Sequence, residues 1–136
     1  VQHMRESYDQ RRRFLINALR RQIEAVASHQ DEGGMWHTLI DDPTSYLEAS
    51  ATSGFGCGIL KAVKAGLVSE QYRENADRAL APVLDCIDDK GVVQQVSYGT
   101  PMGRESKDFY KQIPLHPMPY GQAMAILFLL EEDSES

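Results

Sequence analysis

The chain reads GMWHTLIDDPTSYLEASAT from Gly34 to Thr52, and this stretch decides the predicted fold. Its first half is a short apolar segment that holds the only tryptophan, Trp36. Because connecting segments are normally polar and exposed, an apolar one is expected to pack into the protein. The second half favours a helix that begins near Thr44 or Ser45, with Glu48 completing a capping-box pattern. The stretch therefore predicts an anchored loop that leads into a helix.

This second helix, which is expected to end at Gly66, carries an unusual run of small residues. From Ala49 to Gly58 every residue except Phe55 is small, and the run includes Gly54 and Gly56. A glycine inside a helix costs about 1 kcal/mol relative to alanine. The run therefore predicts either close packing against neighbouring elements or a cavity that needs room.

Apolar residues recur at helical spacing in three further segments, which predict helices at about Ser7 to His29, Ser69 to Ile87 and Pro119 to Glu132. The inward stripes expected for the first and last of these are Leu15, Leu19, Ile23 and Val26, and Ala123, Ile126, Leu127 and Leu130. Phe128 and Leu129 extend the apolar surface of the last helix, which is therefore expected to be buried on most sides.

The pattern changes between the third and last helices. Residues 92–98 favour a short β-hairpin-like segment. Residues 99–118 form a connection whose length indicates a functional loop. The predicted fold class is all-α, with antiparallel helical hairpins in a single domain over residues 1–136.

The composition disfavours several classes of function. The 136 residues carry a net charge of −6, which argues against nucleic acid and anionic membranes as partners because both attract basic surfaces. The scattered histidines and the two cysteines, Cys57 and Cys86, form no metal-binding motif, so no metal is expected. No signal-peptide pattern and no apolar run long enough to span a bilayer are found, which predicts a cytoplasmic location.

The Gly34–Thr52 stretch resembles the unsaturated rhamnogalacturonyl hydrolases of glycoside hydrolase family 105, which are related to the unsaturated glucuronyl hydrolases of family 88. The family pattern is a Gly-Leu-Trp-His loop, then Asp-Pro-x-Ser-Tyr-Leu-Glu-x-Ser-Ala and a small-residue helix. Weaker matches follow in the family's order at Asp89-Lys90-Gly91, Gly99-Thr100 and Tyr120-Gly121-Gln122. The resemblance extends from about Tyr8 onward.

The resemblance implies part of a six-hairpin (α/α)6 barrel, of which this chain would supply the last two hairpins. The family's acid/base aspartate and its Arg-Gly-Asn-x-Trp segment lie upstream of the matched part, so no catalytic residue is assigned. In the family, an aspartate protonates the double bond of a 4,5-unsaturated uronic acid and water adds, without a metal or organic cofactor. The implied partner is an unsaturated oligosaccharide from pectin-type polysaccharides, and this chain would form one wall of its cleft.

The residues expected to bind substrate are Trp36, His37, Glu48, Thr100 and Tyr110. The resemblance favours a Trp36 that stacks on a pyranose and a His37 that hydrogen-bonds to it; the alternative is that Trp36 only anchors its loop. Glu48 either closes the capping box or faces the cleft. Thr100 and Tyr110 belong either to a cleft-lining loop or to an ordinary surface loop.

The alternative function is a catalytically inactive barrel fragment that acts as a binding or assembly module. The face that normally meets the other hairpins would then be an exposed apolar patch, and such a patch promotes association. A homodimer formed through that face is therefore predicted for the isolated chain.

Overall fold

The computed structural model describes residues 2–103 and 105–134, and for residues 2–6 it describes the backbone alone. Within these ranges lie four α-helices: α1 Gln2–Ser28, α2 Ala49–Lys64, α3 Arg73–Asp85 and α4 Pro119–Asp133. Short 3-10 helices cover Glu70–Tyr72 and Lys107–Gln112. The described residues contain no strand, and the predicted all-α fold class is confirmed.

Helix α2 is the central element, because it packs against both α3 and α4. Its residue Gly56 lies directly against Phe128 of α4, which is fully buried. A Cβ atom added to Gly56 would lie 2.6 Å from the Phe128 ring. Close approach of the two helices therefore requires a residue without a side chain at this position.

The neighbouring glycines of α2 have a different environment. Gly54 and Gly58, together with Ile23 and Phe55, line a groove of about 140 Å3 between α1 and α2. A Cβ atom on Gly58 would meet nothing within 4 Å. Close packing therefore explains Gly56, whereas Gly54 and Gly58 border an open groove in which a small side chain would also fit.

The apolar loop is packed into the core, as its composition predicted. Trp36 is fully buried. Its indole N–H donates to the carbonyl of Val26 at 2.7 Å, and its backbone N–H donates to the hydroxyl of Thr52 at 3.1 Å. The ring also meets Phe55 edge to face, with 5.4 Å between the centroids. Trp36 therefore joins the end of α1 to α2.

The start of α2 differs from the prediction. The helix begins at Ala49 rather than at Thr44 or Ser45, because the hydroxyl and the N–H of Ser45 both donate to the carbonyl of Asp42 and form a turn. Glu48 is itself the N-cap residue, with an extended backbone. The predicted capping box was therefore wrong, although it lies within four residues of the true start.

The buried face of α4 was also predicted wrongly. Its buried residues are Gly121, Ala125 and Phe128, whereas much of the predicted stripe is exposed and Leu130 shows 62% of its surface. The reason is close approach: a Cβ atom on Gly121 would lie 2.5 Å from Val96. Small residues therefore face inward, and α4 is not buried on most sides.

Residues 92–98 form isolated bridges in place of a regular hairpin. Ile87 pairs with Val93, and Ser97 pairs with Leu115. Val93 and Val96 are nevertheless buried in the core. The segment therefore acts as a packed connection that fixes the position of Ser97.

Candidate functional site

A cavity of about 570 Å3 lies at the amino-terminal end of α2. Most of its polar lining consists of hydroxyl-bearing side chains, namely Thr38, Ser50, Ser97, Thr100, Tyr110 and Tyr120. Glu48 is the single acid among the described lining residues, and none of these is a lysine or an arginine. The cavity therefore offers hydroxyl groups around one carboxylate.

Glu48 lines this cavity, but only 3% of its surface is exposed. One carboxylate oxygen accepts hydrogen bonds from the N–H of Ser97 at 2.9 Å and from the hydroxyl of Ser50 at 2.8 Å. The other accepts from the N–H of Ala51 at 2.5 Å and from the same hydroxyl at 3.0 Å. Hydrogen bonds of this kind compensate the cost of burying the charge. They also connect the first turn of α2 to the segment that carries Ser97.

Gln95 satisfies the first amide of α2. Its carbonyl accepts from the N–H of Ala49 at 2.9 Å. The backbone of Gln95 has a φ of +60°, in the left-handed region that costs a residue other than glycine roughly 1–3 kcal/mol. Its side-chain amide donates to the carbonyl of Leu47 at 3.0 Å, which holds the residue in this conformation. Local strain at Gln95 therefore accompanies a well-defined start of α2.

Two tyrosines fix the position of Ser97. The hydroxyl of Tyr120 donates to the Ser97 carbonyl and accepts from the N–H of Gly99 at 2.9 Å. The hydroxyl of Tyr46 lies 3.0 Å from the hydroxyl of Ser97. The proton of Tyr120 is thus already used within the chain, and this residue contributes a fixed part of the cavity lining.

Tyr110 has a different hydrogen-bonding state. Its hydroxyl accepts from the N–H of Gly103 at 3.1 Å, and no described residue accepts its proton. A tyrosine hydroxyl both donates and accepts, so Tyr110 retains a donor for a ligand. Thr100, also in the lining, is exposed.

A cluster of charges fastens the 107–112 helix to the 34–48 loop beside the cavity. Lys111 Nζ lies 2.8 Å from Asp42 Oδ2 and 3.3 Å from Asp108 Oδ1, and it donates to the Thr44 hydroxyl at 2.7 Å. The hydrogen bond from Lys111, with those from Thr44, holds the pKa of Asp42 well below its usual range. The hydrogen bond with Asp42 in turn raises the pKa of Lys111. The cluster therefore holds the segment that carries Tyr110 against the loop.

The structure brings three of the predicted substrate-binding residues together: Glu48, Thr100 and Tyr110 line one cavity. Trp36 is not in the lining, and because its indole is fully buried it has no free face for stacking on a sugar. Its environment is that of a loop anchor, the alternative that the sequence left open. His37 lies outside the lining as well.

Both ring nitrogens of His37 face groups of the chain itself. Nδ1 lies 2.5 Å from the carbonyl oxygen of Ser45, and Nε2 faces a carboxylate oxygen of Asp31 at 3.5 Å. Only 11% of the side chain is exposed. In this arrangement His37 secures the loop rather than lining the cavity.

Sequence reasoning missed four of the hydroxyl-bearing lining residues, namely Thr38, Ser50, Ser97 and Tyr120. Thr38 and Ser50 lie in the stretch that carries the family resemblance, and Tyr120 opens the last of the weaker matching motifs. Those motifs were therefore the available signal for three of the four residues. Ser97 carried no comparable signal, because its place depends on hydrogen bonds to distant residues.

The family model of Glycosyl Hydrolase Family 88 matches residues 3–133. The chain is 36% identical over 121 residues to the unsaturated rhamnogalacturonyl hydrolase YesR of Bacillus subtilis (strain 168), an alignment that covers 87% of this chain and 33% of that protein. The chain therefore spans about a third of the length of this relative.

Solved structures agree with this match. Proteins from Salmonella enterica serovar Paratyphi A and Klebsiella pneumoniae, each described as a possible member of family GH105, are 52% and 53% identical, with TM-scores of 0.88 and 0.87. Each match covers 91% of this chain and 32% of the other. A family 88 glycosyl hydrolase from Bacteroides vulgatus is 18% identical and has a TM-score of 0.73, a similarity of fold alone.

None of the helices in the described ranges combines the length and the apolar character needed to cross a membrane. No group of three or more His, Cys, Asp or Glu residues in the described ranges is arranged as metal ligands would be.

Proposed function

The chain belongs to glycosyl hydrolase family 88, and from that premise we propose that it forms one wall of the sugar cleft in an enzyme that acts on oligosaccharides ending in a 4,5-unsaturated uronic acid. The reaction proposed is hydration of the double bond, and the oligosaccharides are those released from pectin-type polysaccharides. The observation that carries the proposal is the cavity at the start of α2, lined by hydroxyl groups and one acid. The name of the relative YesR supports the substrate class.

Within this proposal, Thr100 and Tyr110 bind sugar hydroxyls, and Glu48 organises the cavity without transferring a proton. A general acid must present a proton to its substrate. Each oxygen of Glu48 instead accepts from a backbone N–H, of Ser97 or of Ala51. The proton transfer is therefore assigned to another part of the enzyme. Cys57 and Cys86 are free, which supports the reducing, cytoplasmic location that is part of the proposal.

Titration calorimetry with an unsaturated rhamnogalacturonan disaccharide tests binding by the chain. We expect Tyr110→Phe and Thr100→Val each to weaken binding roughly threefold to tenfold, since each removes a hydrogen bond to a neutral group. Absence of binding, or binding that neither variant changes, would contradict the proposal. Hydrolysis is followed as loss of the double-bond absorbance, with the saturated disaccharide as the control. Turnover by this chain alone would contradict the assignment of proton transfer to another part of the enzyme.

A second candidate function, assembly, is favoured by the outer face of α4. Ile126, Leu127 and Leu130 are exposed there, and contiguous exposed apolar residues commonly mark association sites. We propose that the isolated chain forms a homodimer through this face. Light scattering tests this: Leu130→Glu should shift a dimer toward monomer, and a wild-type chain that is monomeric at every concentration would refute it.

A further inference from the structure

We propose that Ser50, held by Glu48, makes one side of the cavity selective for a neutral, hydroxyl-bearing sugar unit and excludes the carboxylate of the uronic acid from that position. The inference rests on the proposed function and deepens it, because it states which part of the substrate this chain contacts.

The hydrogen-bonding state of Ser50 carries the first step. A serine hydroxyl has one proton to donate and two lone pairs that accept. Ser50 Oγ lies 2.8 and 3.0 Å from the two carboxylate oxygens of Glu48, which accept its proton. Ser50 therefore presents only lone pairs to the cavity, and a ligand atom bound there must donate a hydrogen bond.

Glu48 is held in this orientation by groups that cannot reverse their role. The backbone N–H groups of Ser97 and Ala51 can only donate, and each points at a different oxygen of the carboxylate. Turning the side chain away would leave these amides without a partner, which is costly for buried groups. Glu48 is thus a positioning residue that acts through Ser50.

The charges around Ser50 also disfavour an anionic ligand group at this position. The amino terminus of a helix normally attracts anions, but in α2 the carboxylate of Glu48 already occupies it, and the carbonyl of Gln95 takes the N–H of Ala49. A substrate carboxylate would therefore approach a like charge. No lysine or arginine stands among the described lining residues to offset the repulsion, and Lys111 is already paired with Asp42.

A sugar hydroxyl meets these conditions, because it can donate to Ser50 and carries no charge. Tyr110 supplies the matched contrast within the same cavity. Its hydroxyl accepts from Gly103 and keeps its proton, so it can donate either to a sugar hydroxyl or to a carboxylate. Selectivity between neutral and anionic ligands is therefore assigned to Ser50 and Glu48, and not to Tyr110.

The test compares methyl β-galactoside with methyl β-galacturonoside, which differ only in a neutral or an anionic group at C6, by NMR titration of the full chain at neutral pH. The wild type is expected to bind the galactoside more tightly. Ser50→Ala should weaken the galactoside roughly threefold to tenfold and leave the galacturonoside unchanged. Ser50→Thr, which keeps a hydroxyl, should restore the preference. Glu48→Gln should shift the preference toward the galacturonoside by roughly tenfold, since it removes a like charge.

Tyr110→Phe is the matched control and should weaken both probes equally. Because Glu48→Gln places an amide N–H against a backbone donor and can unfold the chain, the Ser50→Ala and Ser50→Thr pair decides the question by itself. A wild type that binds the galacturonoside as tightly as the galactoside, or a Ser50→Ala variant that weakens both probes equally, would overturn the inference. If the unsaturated disaccharide still binds in that case, the proposed function stands; if no sugar binds, both fail.

Discussion

Helices α1 and α2 differ in what holds them. Helix α1 is the longer, with 27 residues against 16. Yet its buried hydrophobic residues in the described side chains are only Ile23 and Val26, both near its carboxyl end, whereas α2 is buried along most of its length. The amino-terminal half of α1 exposes Phe14 and Leu15. Length and periodicity alone therefore do not indicate which helix contributes most to stability, because that depends on the elements packed against each helix.

The largest expected effect breaks the contact between the two helices. Trp36→Ala removes a fully buried ring whose N–H bonds to Val26 of α1 and whose backbone bonds to Thr52 of α2. It should lower the free energy of unfolding by about 3–5 kcal/mol, measured by urea denaturation. The control is Phe14→Ala, which should change it by no more than about 0.5 kcal/mol. Comparable losses in the two variants would contradict the contrast.

The next effect concerns the two environments within α2. Gly56→Ala should destabilise the chain by about 1–3 kcal/mol, because the added methyl group overlaps the Phe128 ring. Gly58→Ala is the matched control: its Cβ meets nothing within 4 Å, so it should stabilise the chain by about 0.4–1 kcal/mol. Thermal unfolding of both variants measures the difference, and equal shifts would mean that α2 and α4 do not approach as closely as described.

The next prediction concerns the pH dependence of stability, which we expect to reflect the Asp42–Lys111 pair in the loops beside the start of α2. Since Lys111 lowers the pKa of Asp42 in the folded state, the unfolded chain binds that proton more readily. The Asp42–Lys111 pair therefore stabilises the folded chain above the ordinary aspartate pKa of about 3.9, and this stabilisation is lost as the pH falls below that value. Lys111→Met should reduce the Tm at neutral pH and converge with wild type in acid.

Asp88 provides the internal control for this titration. Its pKa is lowered mainly by the N–H of Val92, which Lys111→Met does not touch, so the variant should retain some loss of stability in acid. A constant difference in Tm between wild type and Lys111→Met at every pH would exclude the Asp42 pair as its cause.

The smallest effect is expected on the exposed half of α1. Leu15 shows 64% of its surface, and Leu15→Gln should leave the free energy of unfolding within about 0.5 kcal/mol of wild type. On the same helix, Ile23→Val should cost about 0.5–1.5 kcal/mol because Ile23 is buried. Circular dichroism during denaturation distinguishes the two. A larger loss at Leu15 would place the amino-terminal half of α1 in the cooperative core.

The sequence was sufficient for features that depend on local order. The stretch around Trp36 predicted a packed loop, and the regular spacing of apolar residues predicted the approximate extents of the helices. It was insufficient where contacts with another element determine which residues are buried. The buried face of α4 follows from close approach at Gly121 and Gly56, and hydrophobicity alone favours the larger residues that are exposed.

The candidate site shows the same division. Glu48, Thr100 and Tyr110 were predicted because they lie in segments that resemble a known family, and they meet in one cavity. Ser97 was not predicted, because it reaches that cavity only through bonds to Glu48 and Tyr46. The φ of Gln95 could not be predicted either, since the contacts of its side chain and carbonyl, rather than its residue type, maintain the strain.

The carboxylate of Glu48 also has a consequence for the order of folding. Its bond to the Ala51 amide spans 3 residues of sequence, whereas its bond to the Ser97 amide spans 49. The first can form as soon as α2 nucleates, but the second must wait until a long stretch of chain has folded back, since loop closure costs entropy. Pulsed hydrogen exchange during refolding should therefore protect Ala51 before Ser97. The same side chain would report both the first turn of a helix and the completion of the cavity.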